Sequence, residues 1–90
     1  MLISILVTSY NYDKYIKNAI ESIKNQTYED WELIIVDDAS EDRSVEIITK
    51  ATDSYGRVRT IVNDQNMGLE ATLENAFKYA CGKWIAILES

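Results

Sequence analysis

Residues 2–8, LISILVT, form a nearly unbroken apolar run that stops at a polar cluster, and residues 33–36, LIIV, repeat the pattern ahead of two consecutive aspartates. Short apolar runs of this kind predict strands buried on both faces of a parallel sheet. Between them the period changes. Tyr15, Ile16, Ala19, Ile20 and Ile23 recur at helical spacing and put one apolar stripe on a helix predicted over residues 12–25. A second stripe, Val45, Ile47, Ile48 and Ala51, follows the second strand, with Ser40 or Asp42 available to cap its helix. Residues 58–62 read as a third strand and residues 63–68 as a polar loop ending in glycine. Leu69, Leu73, Ala76, Phe77 and Ala80 make a third helical stripe, with Gly82 as the expected C-terminal cap, and residues 84–88 give a fourth strand. No proline interrupts any element. The order βαβαβαβ predicts an α/β fold of three layers, α/β/α, around a mostly parallel sheet with right-handed crossovers. Tyr12, Tyr15, Tyr28, Trp31 and Trp84 are expected to pack helix against sheet, and Cys81 to be a small packing residue near a helix end.

Ninety residues form a single domain, 1–90, of which a chain this size buries roughly two-thirds of its unfolded surface. The chain stops directly after the fourth strand, so the reading expects a truncated domain, or a fragment that covers its exposed fourth-strand edge by self-association. Nine Lys+Arg against 15 Asp+Glu leave a net charge of −6, which argues against nucleic acid as a partner, because counterion release needs clustered cations. One cysteine and no histidine exclude an intrachain disulfide, a Cys/His zinc set and a His-activated nucleophile. The amino terminus carries no basic segment ahead of its short apolar run, and no window approaches the ~20 apolar residues of a spanning helix. The expectation is a soluble chain without a membrane segment, in the cytoplasm.

In an open parallel sheet, ligands bind beyond the carboxyl ends of the strands where the strand order reverses. Those ends are Thr8, Ser9, Tyr10 and Asn11, then Asp37 and Asp38, then residues 63–68, and finally Glu89. They offer hydroxyls, an aromatic face and carboxylates, but no basic cluster for phosphates, so a divalent cation would have to bring the positive charge. Neither G-x-G-x-x-G nor G-x-x-x-x-G-K-[ST] occurs, which removes the common dinucleotide and P-loop cradles. A strand-end carboxylate can accept the N3–H of uracil or the N1–H and N2–H of guanine, whereas adenine and cytosine lack a matching ring donor. Tyr10 could stack on such a base, and Thr8 could bond its edge or the ribose. The plainer alternative makes Asp37 and Asp38 a turn and capping device, and Asn66 and Gly68 the turn that starts the third helix.

The segments ISILVTSYNYDKYIKNAIESIKNQTYEDWELIIVDDAS and NDQNMGLEATLENAFKYACGKWIAILES, with their spacing, resemble the amino-terminal half of the family 2 inverting glycosyltransferases, whose fold is the Rossmann-like GT-A fold. The resemblance covers essentially the whole chain. It implies that Thr8 and Tyr10, with Ser9 and Asn11 in the same TSYN run, lie at nucleoside-contacting positions, and that Asp38 is the base-reading carboxylate of a D-D-x-S motif with Asp37 as its strand-end partner. Asn66 and Gly68 match the N-x-G turn beside the nucleotide. Glu89 takes the first position of the D-x-D motif, where Asp is usual, and the second carboxylate, the metal ligand, falls beyond Ser90. Leu73 stands where many members carry a basic residue.

The resemblance further implies a UDP-sugar donor, a glycan or lipid-linked acceptor, and Mg or Mn as cofactor. The catalytic base, expected downstream of Ser90, would act in a single inverting displacement. The isolated chain is expected to be inactive, and the full-length protein to work at the inner face of the membrane, in cell-wall or polysaccharide biosynthesis. Two other readings stand beside it. One is a non-catalytic α/β interaction module, and the other a phosphoryl-accepting signalling domain, which also uses an acidic pair at a strand end.

Overall fold

The computed structural model describes residues 2–26, 28–53 and 56–88. Four strands, β1 (Ile3–Ser9), β2 (Trp31–Asp37), β3 (Val58–Val62) and β4 (Trp84–Leu88), alternate with three helices, α1 (Ile16–Lys24), α2 (Ser44–Thr52) and α3 (Leu69–Phe77). The strands form one all-parallel sheet in the order β3-β2-β1-β4. The chain steps from β1 outward to β3 and then returns to the far side of β1, so the order reverses between β1 and β4. This is the predicted α/β architecture.

Strand alternation divides the core between two faces. Ile5, Val7, Leu33 and Ile35 meet Ile16, Ile20 and Ile23 of α1 and Ile48 of α2 on one face. Leu6, Ile34 and Val36 meet Ala76 of α3 on the other. Leu6, Leu33, Ile35 and Ile20 are fully buried, each contributing about 1.5–3 kcal/mol through removal from water. This two-sided burial is why β1 and β2 read as continuous apolar runs.

Several expectations change. Helix α1 starts at Ile16, four residues later than predicted, because residue 12 heads a turn whose carbonyl accepts the N–H groups of Tyr15 and Ile16. Helix α3 ends at Phe77, and Gly82 is not its cap. Gly82 instead lies against β1, where its N–H donates to Ser4 Oγ at 2.7 Å. A Cβ there would sit 2.6 Å from Ser4 Oγ and 2.8 Å from Leu2 O, so the glycine permits close approach of two backbones. The buried stripe of α3 is Thr72 and Ala76, with Leu73 and Ala80 packed beside it, while Leu69 and Phe77 are exposed. Small side chains face the sheet and let the helix sit close.

Of the aromatics, Trp31 is buried and Tyr12 packs against the core, whereas Tyr15, Tyr28 and Trp84 are exposed. Cys81 is exposed too, and its backbone N–H donates to Glu32 Oε2. Asp42 accepts the Ser44 N–H at 2.9 Å at the start of α2, while Ser40 is engaged elsewhere.

Candidate nucleotide site at the strand ends

Thr8 and Asp38 belong to the side of the sheet covered by α3, as Leu6 and Val36 do, and Ser9 and Asp37 to the opposite side. That alternation separates the predicted acidic pair. Asp37 is fully buried and accepts the N–H and the hydroxyl of Ser40 at 2.8 and 2.6 Å, closing a tight turn through Ala39 at φ 58°. Ser40 Oγ in turn accepts the Asn11 N–H at 2.9 Å, and Asn11 Oδ1 accepts the Glu41 N–H at 2.8 Å. Asn11, at φ 49°, adopts the left-handed backbone that asparagine tolerates better than most residues. Tyr12 N–H to Ser44 Oγ and Asp13 N–H to Asp42 Oδ2 continue the stitching. These groups hold the loops after β1 and β2 together.

Asp38 does different work. Its carboxylate is 5% exposed and accepts three N–H groups: Asn63 Nδ2 at 3.0 Å and Met67 N at 2.7 Å on Oδ1, and Gly68 N at 2.9 Å on Oδ2. Burial pushes its pKa up, but the bonds from Asn63, Met67, Gly68 and Thr72 outweigh burial and hold the carboxyl below its ordinary range. Gly68, at φ 87°, supplies a backbone conformation closed to most side chains and so turns the loop back onto that carboxylate. The same cause lowers Asp42, where burial opposes and the bonds from Ser44 and Asp13 prevail.

Thr8, Ser9, Tyr10, Asp38, Leu69 and Thr72 line a cavity of about 220 Å³ at this corner. The Tyr10 ring stands 45% exposed at its mouth. Thr8 Oγ1 and Ser9 Oγ are buried with no hydrogen-bond partner among the described residues. A buried hydroxyl without a partner costs about 1–3 kcal/mol, so a ligand oxygen or nitrogen reaching Thr8 Oγ1 would gain by bonding it. No lysine or arginine lines the cavity, in keeping with the missing basic cluster.

The structure thus brings Thr8, Tyr10 and Asp38 together, with Gly68 tied to Asp38 and the buried Ser9 also lining the cavity. It does not bring in Asn11 or Asp37, whose polar groups are spent on the loops, and Asn66 is exposed outside the lining. Glu89 lies outside the described residues. Leu73 packs on Leu6, Ile34 and Val36. Sequence reasoning placed Asn63 only within the strand-end loop 63–68 and missed Leu69 and Thr72; the one available signal was a threonine inside an apolar stripe. Among the described residues no group of three or more His, Cys, Asp or Glu could hold a metal ion, and Asp37 and Asp38 point apart. A larger cleft of about 410 Å³ at the amino end of the sheet has its polar groups engaged already, with Arg57 over the Trp31 ring and bonded to the Glu29 carbonyl.

This geometry has clear relatives. The model of "Glycosyl transferase family 2" matches residues 4–90. The Escherichia coli UDP-Glc:alpha-D-GlcNAc-diphosphoundecaprenol beta-1,3-glucosyltransferase WfgD is 37% identical over 89 residues, which is 99% of this chain and 34% of that protein. The S. aureus TarS 1-349 structure in complex with UDP superposes with a TM-score of 0.90 at 27% identity, covering 100% of this chain and 27% of that one. The mannosyltransferase PcManGT from Pyrobaculum calidifontis, solved with GDP-Man and Mn2+, shares the fold with a TM-score of 0.90 at 21% identity, over 97% of this chain and 26% of that one. The chain spans about a third of the length of the curated relatives it matches. Among the described residues no helix is long and apolar enough to cross a membrane. With its fold, its strand-end cavity and a family match running from Ser4 to its last residue, the chain belongs to glycosyl transferase family 2.

Proposed function

We propose that residues 1–90 are the nucleotide-binding part of a glycosyltransferase, and that the cavity beside Thr8 and Asp38 takes the nucleoside end of a nucleotide-diphospho-sugar, a UDP-sugar. The observation that carries this reading is the buried, unpartnered Thr8 Oγ1 in a cavity that also presents the Asp38 carboxylate and the open face of Tyr10. In this reading the uracil ring stacks on Tyr10, its N3–H shares the Asp38 carboxylate with the loop amides, and Thr8 donates to a base or ribose oxygen. Ser9 lines the cavity at the end of β1, and Gly68 ties its loop to Asp38. Asn11 and Asp37 act one step back, by holding the two loops in register, and Asn66 approaches the nucleotide from the loop before α3.

The UDP in the TarS structure and the UDP-Glc in the WfgD name support uridine over guanosine, although PcManGT uses the same fold with GDP-Man. The whole protein then transfers the sugar with inversion to a glycan or lipid-linked hydroxyl, with a catalytic carboxylate outside this chain. A divalent cation would neutralise the diphosphate, and among the described residues no group of three or more His, Cys, Asp or Glu could hold one by itself. Separation of Asp37 from Asp38 across the sheet disfavours a phosphoryl-accepting acidic pair.

Backbone amide NMR of the chain titrated with UDP, GDP and ADP, each with and without Mg²⁺, tests the reading. Shifts at residues 8–11, Asp38, Met67 and Gly68, with UDP ahead of ADP, are expected. No response to any nucleotide at millimolar concentration would overturn it.

A further inference from the structure

Asn63, the residue after β3, is 7% exposed, and its N–H extends the sheet ladder to the Asp37 carbonyl at 2.8 Å. Its side-chain amide is fully engaged. Nδ2 donates to Asp38 Oδ1 at 3.0 Å and to Thr72 Oγ1 at 3.2 Å, while Oδ1 accepts from Asn75 Nδ2 at 3.2 Å. The orientation follows from chemistry, because an ionised carboxylate only accepts and so must face the amide nitrogen. One amide therefore ties the end of β2 to two positions of α3 that lie one turn apart.

An Asp side chain has a broad terminal torsion, and its carboxylate plane is set by its partners. Asn63 and Met67 together fix Oδ1, and the remaining oxygen, which accepts the Gly68 N–H at 2.9 Å, is aimed with it. The groups that hold Asp38 in its ionised form, namely Asn63, Met67, Gly68 and Thr72, are all neutral hydrogen-bonding groups. Resting on the nucleoside reading of the cavity, we propose that Asn63 is a positioning residue: its amide orients the Asp38 carboxylate toward the N–H edge of the base and thereby sets base selectivity.

The test compares UDP with CDP, whose base lacks the ring N–H, on the chain and on Asn63→Leu, a variant of the same branched shape without the amide. Loss of a hydrogen bond to a charged group predicts that UDP affinity falls about tenfold. CDP affinity should stay within about twofold, so selectivity is lost rather than binding as a whole. A parallel fall for both nucleotides, or for neither, would overturn the proposal. If Asn63→Leu does not fold, Asn63→Ala, smaller and with no donor toward Asp38, must show the same selective loss. A wild-type chain that binds no nucleotide would defeat the site reading alone, and the Asp38 carboxyl titration followed by NMR then decides. A midpoint raised by Asn63→Leu upholds the orienting role, and an unchanged one overturns it.

Discussion

Asp38 shows how one side chain can hold a loop and also wall a cavity. Its three N–H donors come from the loop that connects β3 to α3, so protonation would remove the acceptor on which that loop is built. Because its folded pKa lies below the unfolded value of about 3.9, the folded state binds fewer protons in that interval. The stability this gives is fully present above the ordinary carboxylate range and is lost as pH falls through it toward the lower folded pKa; Asp42 behaves alike. Urea denaturation of Asp38→Asn should show a loss of about 1–3 kcal/mol at pH 7 and a shallower decline between pH 5 and 2 (on the order of those bounds) than the parent chain. An unchanged acid profile would place the acid sensitivity elsewhere. Tyr10 offers the opposite case. With its ring 45% exposed, Tyr10→Ala should leave the melting temperature nearly unchanged while weakening UDP by about 1–3 kcal/mol, measured by calorimetric titration.

At the level of elements, the amino-terminal end of β4 depends on a glycine that has no side chain to offer. Gly82→Ala would force a methyl group to within 2.8 Å of Leu2 O and Ser4 N, both backbone atoms, so the segment entering β4 must move away from β1. Such overpacking costs about 1–3 kcal/mol. Hydrogen exchange should then accelerate at residues 84–88 before it does at β2, and equal protection would count against this account. The same residue marks where sequence pattern stops informing. Strands β1 and β2 were legible because burial on both faces leaves continuous apolar runs, and the strand-end rule led from them to Thr8, Tyr10 and Asp38. Gly82 has two uses, a cap or a close contact, and only tertiary packing decides between them. Thr72, and the bridging role of Asn63 within its loop, were missed for a related reason, since a buried polar residue reads as a solvent-facing one until its partners are known. Asp37 and Asp38 are adjacent in sequence but face opposite layers, and the pleat, not composition, separates their roles.

Across the whole molecule the helices are unevenly distributed over the sheet. Helices α1 and α2 pack together over one face and α3 lies on β1 and β2 over the other, while β4 joins the sheet through β1 alone. The radius of gyration is 12.1 Å, the compactness expected of about ninety residues, so exposure at β4 does not come from a loosened fold. Trp84 is 59% exposed, Ile85 44%, Ile87 41% and Leu88 43%, apolar side chains on both faces of an edge strand. Unpaired strand edges with apolar faces recruit further strands, and a two-fold axis at β4 would let a second copy of this chain do so without leaving a new edge there. The chain is therefore expected to associate through β4, giving a concentration-dependent rise in mass by sedimentation equilibrium. Charges on an edge oppose such pairing, so Ile85→Lys with Ile87→Lys should return the monomer while leaving the amide signals of residues 8–11 and Asp38 in place. A parent chain that stays monomeric at millimolar concentration, or a double variant that associates as strongly as the parent, would place the contact elsewhere.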